Sequence, residues 1–225
     1  MKLGVLFSGG KDSTYALYKA MAKDRVVCLI SIISKNPDSY MFHTPNIELV
    51  ELQAKALGLP LIKQLTIGEK EEELKDLKKA MAEAKERFGI EGVVSGAFAS
   101  AYQKDRIQKI CDELKLRCIN PLWGKEPEAL LRGMLKDGFK FILSSIAALG
   151  FNEPWLGRII TEKDIDKLVE LNKKVGIHIA FEGGEAESLM TDGPIFKRKV
   201  KIIKAEKKME NENTGVYKIL KAELD

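Results

Sequence analysis

Apolar residues along the chain fall into two alternating rhythms. Short continuous runs at 3–7, 26–33, 59–67, 91–96 and 117–122 alternate with longer segments in which apolar positions recur every three or four residues. A continuous run rich in branched side chains suits a strand buried on both faces, and the longer period suits a helix with one buried stripe. The first helix is expected over 15–21. The second carries Ile47, Val50, Ala54 and Leu57 on one side, opens at a Thr44, Pro45 cap and stops at Gly58. The third, 69–87, is highly charged, pairs Glu83 with Arg87, and has one apolar stripe of Leu74, Leu77, Met81, Ala84 and Phe88 before Gly89. The fourth opens at Ser100 with Gln103 three positions on, a capping-box arrangement, and turns Ile107, Ile110, Cys111 and Leu114 inward. Five strands alternating with helices predict a doubly wound parallel α/β sheet over residues 1–124.

From residue 125 the rhythm changes. A helix over 128–136 precedes a strand-like run at 139–149, then an irregular stretch holds Asn152, Glu153, Pro154 and Trp155. Thr161 with Asp164 caps a helix that runs to Val175 and ends at Gly176. Residues 176–188 form a glycine-softened acidic turn carrying Glu182, Glu185 and Glu187. The tail reads as a hairpin of 197–208 and 216–222 with a lysine-rich face, a solvated surface that also protects an edge strand. Residues 125–225 are therefore expected to form a smaller α+β domain.

In a doubly wound sheet a ligand lies beyond the carboxyl ends of the strands, near the point where strand order reverses. The loops expected there are 8–13, 33–43, 95–103 and 121–124, and they hold most of the unusual residues. The first is the sharpest: Ser8, Gly9, Gly10, Lys11, Asp12 and Ser13 lie between strand and helix. Glycines let the backbone turn and approach a ligand, and the first amides of a helix favour an anion. Lys11 adds a point charge and the serines add donors. Two glycines, a lysine, an aspartate and two hydroxyls in six positions exceed what a tight turn needs, so the loop is read as a phosphate or pyrophosphate site. Its spacing is neither that of a Walker loop nor that of the dinucleotide fingerprint. Asp12 beside a phosphate is repulsive unless a cation intervenes, which makes Mg²⁺ the expected third party and Asp12 its ligand.

The totals of this 225-residue chain sharpen the picture by exclusion. At 45% hydrophobic and 31% charged it is globular, and a net charge of +4 with interleaved acids and bases gives no nucleic-acid footprint. The three cysteines, Cys28, Cys111 and Cys118, match neither a disulfide framework nor a zinc spacing and are read as buried thiols. A strand begins within three residues of Met1, and no apolar run is long enough to span a bilayer, so the expected location is cytoplasmic, with no membrane partner. A homo-oligomer stays open.

The strand, Ser-Gly-Gly-Lys-Asp-Ser loop and helix resemble the pyrophosphate loop of the N-type ATP pyrophosphatases, or PP-loop superfamily. With Ser95, Gly96, Ala97, the run Tyr102, Gln103, Lys104, Asp105, Arg106, then Pro121, Leu122, Trp123 and Glu182, Gly183, Gly184, Glu185, nearly the whole chain resembles the diphthine–ammonia ligases (diphthamide synthases) in motif and order. That family usually has glycine where this chain has Phe181 and an aromatic where it has Ala186. The resemblance implies a Rossmann-like sheet of the adenine nucleotide alpha hydrolase-like, HUP type. It also implies an AMP-forming carbon–nitrogen ligase that amidates diphthine on translation elongation factor 2, with ammonium as nucleophile and ATP and Mg²⁺ as cofactors. By the same resemblance Ser8, Gly9, Gly10, Lys11, Asp12 and Ser13 hold the β and γ phosphates. Ile33 and Ser34 border the adenine, Ser95, Gly96 and Ala97 approach the ribose or α-phosphate, and Gln103 and Arg106 reach the α-phosphate.

Bland readings stand beside these. Arg106 is equally a solvated helix charge, and the glutamates are equally a charged loop. Diphthine carries a fixed trimethylammonium, which carboxylates and aromatic faces attract and no proton loss can neutralise; Glu182, Glu185 and Glu187 are the candidates for it or for Mg²⁺, Tyr102, Trp123 and Trp155 are further candidates for the cation, and both tryptophans fit a core as well. His43 and His178 are each structural or functional. No cysteine is placed as a glutaminase nucleophile, which favours free ammonium. Two other functions remain in view: the same ATP chemistry on a tRNA base, and a non-catalytic nucleotide-binding module. No stable nucleic-acid binding is expected, since no RNA-binding module is recognisable.

Overall fold

The structure, a computed structural model, describes residues 1–34 and 46–225, and the chain divides into two compact units, Met1–Trp123 and Gly124–Asp225. The predicted Thr44, Pro45 cap and His43 lie outside the described residues.

In the first unit, β1 (Lys2–Leu6), β2 (Arg25–Ser34), β3 (Leu61–Thr66), β4 (Gly92–Val94) and β5 (Arg117–Ile119) form one parallel sheet in the order β3-β2-β1-β4-β5. The helices α1 (Lys11–Met21), α2 (Val50–Leu57), α3 (Lys70–Phe88) and α4 (Ala101–Glu113) connect them. Alternation along β2 sends Cys28, Ile30 and Ile32 to one face, where they meet Leu77, Ala80, Met81 and Ala84 of α3 and Ile107, Ile110 and Cys111 of α4. Leu17 of α1 and Ala54 and Leu57 of α2 are buried apart from that cluster, so the sheet is covered by helices on both sides, as the continuous apolar runs require. Strand order reverses between β1 and β4, which brings the ends of those two strands side by side.

The differences from the sequence reading concern bounds. β4 and β5 are three residues each, and the chain leaves β5 at Asn120 into a turn that Trp123 closes on the Asn120 carbonyl at 3.2 Å. α2 is entered through a 3-10 turn, Ile47–Leu49. Ser100 Oγ accepts the Gln103 amide at 3.3 Å, the forward half of the expected cap.

The second unit pairs α5 (Pro127–Lys136) and α6 (Glu162–Val175) with an antiparallel sheet of order β7-β6-β9-β8: β6 (Lys140–Ala147), β7 (Ala186–Asp192), β8 (Val200–Met209) and β9 (Thr214–Leu224). Arg132 of α5 reaches Glu128 on its own helix and Glu162 and Asp166 of α6 at 2.7–2.8 Å. The reciprocal capping box forms at Thr161 and Asp164. β7 was absent from the sequence reading, and it corrects one residue. Glu187 is not on the acidic turn; it stands in β7 opposite Ser145. Residues 186–192 hide a strand because Ala186, Ser188, Leu189, Met190 and Thr191 are all buried, which erases the two-residue alternation.

Candidate active site

The β1–α1 junction is built by its neighbours. The Phe7 amide donates to the Ile30 carbonyl at 2.8 Å and the Phe7 carbonyl accepts Ser31 Oγ at 2.5 Å, so β1 delivers the loop in a fixed direction. Gln53 Nε2 of α2 donates to the Gly9 carbonyl at 2.8 Å. Gly9 has φ +78°, and a Cβ there would stand 2.1 Å from Gln53 Oε1, so both conformation and space demand glycine. Gly10 is the N-cap of α1 in an extended conformation with no side-chain cap, leaving the amides of the first turn to other partners.

Lys11 is only 3% exposed, and its Nζ lies 2.6 Å from Asp12 Oδ2. Asp12 Oδ1 is buried with no hydrogen-bond partner among the described residues. The two serines do more shaping than the sequence reading gave them. Ser13 Oγ accepts the Ser8 amide, donates to the Gly10 carbonyl and lies against Ser8 Oγ, all at 3.2 Å.

Beside this loop the end of β4 turns through Ser95, Gly96 and Ala97. A Cβ on Gly96 would stand 2.8 Å from the Ser13 amide nitrogen and 2.9 Å from the Asp12 carbonyl carbon, so the two backbones are in direct contact at the reversal point. Ser95 Oγ accepts the Ala97 amide at 3.0 Å and donates to Asn120 Oδ1 at 2.8 Å. Asn120 was missed from sequence. Its position at the end of β5, immediately before Pro121, was the available signal.

Tyr102, Gln103 and Arg106 follow on the first turns of α4. The Arg106 guanidinium lies 3.3 Å from the Tyr102 ring centroid and its Nη1 donates to the Tyr102 carbonyl at 3.4 Å. Lys104 Nζ lies 4.3 Å from the Trp123 centroid, tying α4 to the turn after β5. Both aromatic rings proposed for a substrate cation in this unit thus already hold a cation of the chain on one face. Ile33 and Ser34 close β2 opposite Leu65 and Thr66, and the loop that follows them lies outside the described residues.

In the second unit the acidic turn has its own hydrogen-bond logic. Glu185 Oε1 accepts the His178 amide at 2.6 Å and Oε2 accepts the Gly183 amide at 2.9 Å, so this carboxylate fastens the turn. His178 Nδ1 accepts the amides of Ala180 and Glu182 at 3.2 and 3.4 Å. Phe181, where the resembled family usually has glycine, has φ +69°, the region glycine adopts without penalty, and its ring is buried at 6.1 Å from Phe151. Glu182 is exposed at the head of the turn. Trp155 is 5% exposed with the Arg158 guanidinium 4.6 Å from its centroid, which makes it core rather than a substrate face.

The thiols are not alike. Burial pushes Cys28 up to about 12. Cys118 is half-buried rather than buried as expected, and a hydrogen bond from the Cys111 thiol holds it below the ordinary thiol value, aided by Asn120 Nδ2 at 3.4 Å; donating that bond pushes Cys111 up.

Among the described residues no group of three or more His, Cys, Asp or Glu side chains is placed to hold a metal, and no helix is long and apolar enough to cross a membrane. Comparison with known proteins gives the chain its family. Residues 1–118 match the family model described as diphthamide synthase N-terminal domain, and residues 126–224 match the diphthamide synthase C-terminal domain. The mouse protein named diphthine–ammonia ligase is 33% identical, covering 94% of this chain and 86% of its own length. Those of the same name from rat and zebrafish are each 34% identical, covering 89% of this chain and 82% and 86% of their own lengths. With both models matched in order across nearly all of its length, the chain belongs to the diphthamide synthase family.

Proposed function

We propose that the protein is an ATP-dependent, AMP-forming ligase that amidates diphthine on translation elongation factor 2 in the cytoplasm, using ammonium. The observation that carries this reading is the β1–α1 junction: uncapped helix amides, the Lys11 and Asp12 pair and the close backbone of Gly96 stand together where the sheet reverses, in a chain of this family.

The chemistry follows from the geometry and the names of the relatives. The carboxylate oxygen of diphthine is a poor leaving group, and adenylation makes it part of AMP, a good one. The loop 8–13 grips the β and γ phosphates through amides and Lys11, which steadies pyrophosphate as it departs. Mg²⁺ fits the residues present. Asp12 offers a buried, unpartnered carboxylate oxygen, and this ion is commonly held by one carboxylate together with substrate phosphates. When bound it supplies charge neutralisation between the phosphates and Asp12. Arg106 and Gln103 are the candidates for the α-phosphate, where charge builds during adenylation, and the Tyr102 ring keeps the Arg106 guanidinium from folding away. Ser95, Gly96 and Ala97 would border the ribose, and Ile33 and Ser34 the adenine.

For the trimethylammonium of diphthine the exposed Glu182 is the stronger candidate. Glu185 acts by fastening the turn that presents it. The test is incubation with ATP, ammonium and diphthine-bearing elongation factor, reading pyrophosphate and the added amide. Both products together support the reading. Pyrophosphate formed only with tRNA, or nucleotide binding without turnover, would replace it.

A further inference from the structure

Gln53 is fully buried on α2, a helix that also buries Val50, Ala54 and Leu57. A polar amide in such a place costs free energy unless it is hydrogen-bonded. Its Nε2 donates to the Gly9 carbonyl at 2.8 Å, across 44 positions of sequence. The Phe7 carbonyl is held by Ser31 Oγ at 2.5 Å, and the Gly10 carbonyl by the Thr14 amide at 3.2 Å and the Thr14 hydroxyl at 2.8 Å. Gln53 holds the chain between those two points.

A trans peptide is planar, so the Gly9 carbonyl and the Gly10 N–H share one rigid plane and point in opposite directions. Holding the carbonyl toward Gln53 turns the Gly10 N–H the other way, toward Ser8 Oγ at 3.4 Å, a long contact that an anionic oxygen can replace. Glycine on both sides makes this the easiest peptide of the loop to turn over, because neither residue has a Cβ to resist. Turned over, it would present a carbonyl oxygen where an amide is needed to face a phosphate.

We propose that Gln53 is a positioning residue of the pyrophosphate loop: it holds the Gly9–Gly10 peptide in the orientation that offers the Gly10 amide to a phosphate oxygen. The inference rests on the ATP-binding function proposed above. Gln53 acts through the Gly9 carbonyl rather than on the nucleotide, and the property that matters is its donor. A methionine has no donor and an ionised glutamate has none, whereas a neutral carboxyl has one O–H.

The experiment measures ATP affinity by calorimetry for the full chain as wild type, Gln53→Met and Gln53→Glu, with thermal melts to show that each is folded at the temperature used. Gln53→Met should bind ATP about tenfold more weakly, equal to about 1.4 kcal/mol. Burial raises the pKa of the introduced carboxyl, so Gln53→Glu should bind weakly at about pH 8.5, where it is ionised, and approach the wild-type affinity at about pH 5.5, where it is neutral. Taking the ratio to wild type at each pH cancels the titration of ATP itself. A purely structural Gln53 would lower the melting temperature of the variants and leave that ratio flat. The proposal is overturned if Gln53→Met binds ATP as the wild type does, or if the Gln53→Glu ratio does not change with pH. Should Gln53→Met fail to fold, the near-isosteric Gln53→Glu decides alone. A wild type that does not bind ATP overturns the proposed function, and this role with it; a wild type that binds while both variants match it overturns the role of Gln53 only.

Discussion

Gly96 and Ser13 belong to different β–α units, yet their backbones touch: a Cβ at Gly96 would stand 2.8 Å from the Ser13 nitrogen. That nitrogen is one of the first-turn amides expected to face the phosphates. Gly96→Ala should therefore push the two turns apart and weaken ATP binding by about tenfold, or ~1.4 kcal/mol. Titration calorimetry of the variant checks it. An affinity equal to wild type would mean that the first turn of α1 does not bind the nucleotide.

Asp12 carries two separable duties. Oδ2 pairs with the buried Lys11, while Oδ1 is buried without a partner. Asp12→Asn should turn the ion pair with the buried Lys11 into a neutral contact and lower the unfolding free energy by about 1–3 kcal/mol. It should also abolish the difference between ATP binding with Mg²⁺ and with a chelator, measured by fluorescence or calorimetry. Persistence of a Mg²⁺ effect would remove Asp12 as its ligand.

Phe181 sets a buried ring on a left-handed backbone. Removing the ring costs about 3–5 kcal/mol whichever small residue replaces it. Only glycine recovers the backbone penalty, so Phe181→Gly should unfold at higher urea than Phe181→Ala, by roughly 1 kcal/mol. Equal stabilities would contradict the left-handed conformation.

Glu182 and Glu185 should separate cleanly. Glu185→Gln replaces one of the two oxygens that accept the His178 and Gly183 amides with a donor, so it should lower the melting temperature as well as amidation. Glu182→Gln, at an exposed position, should lower the melting temperature less than Glu185→Gln does and raise KM for the modified elongation factor several-fold. Parallel thermal melts and amidation assays read both.

The parts legible in sequence were those decided locally. The glycine-lysine-aspartate loop and the stripe Leu74, Leu77, Met81 and Ala84 announce a turn and a buried helix face because their cause lies within a few residues. Asn120 was invisible because its partner Ser95 meets it only through the pairing of β4 with β5. Glu187 was misplaced because burial on both faces removed the alternation that marks a strand. Glu185 looked like free charge, and only the folded turn shows that both its oxygens are engaged.

The central claim is adenylation followed by amidation, and stoichiometry tests it most directly. With diphthine-bearing elongation factor, ATP, Mg²⁺ and ammonium, pyrophosphate, AMP and new amide should appear in equal amounts. All three should fall together in Lys11→Met. Amide formed with release of ADP, or no amide in the presence of pyrophosphate release, would contradict the account.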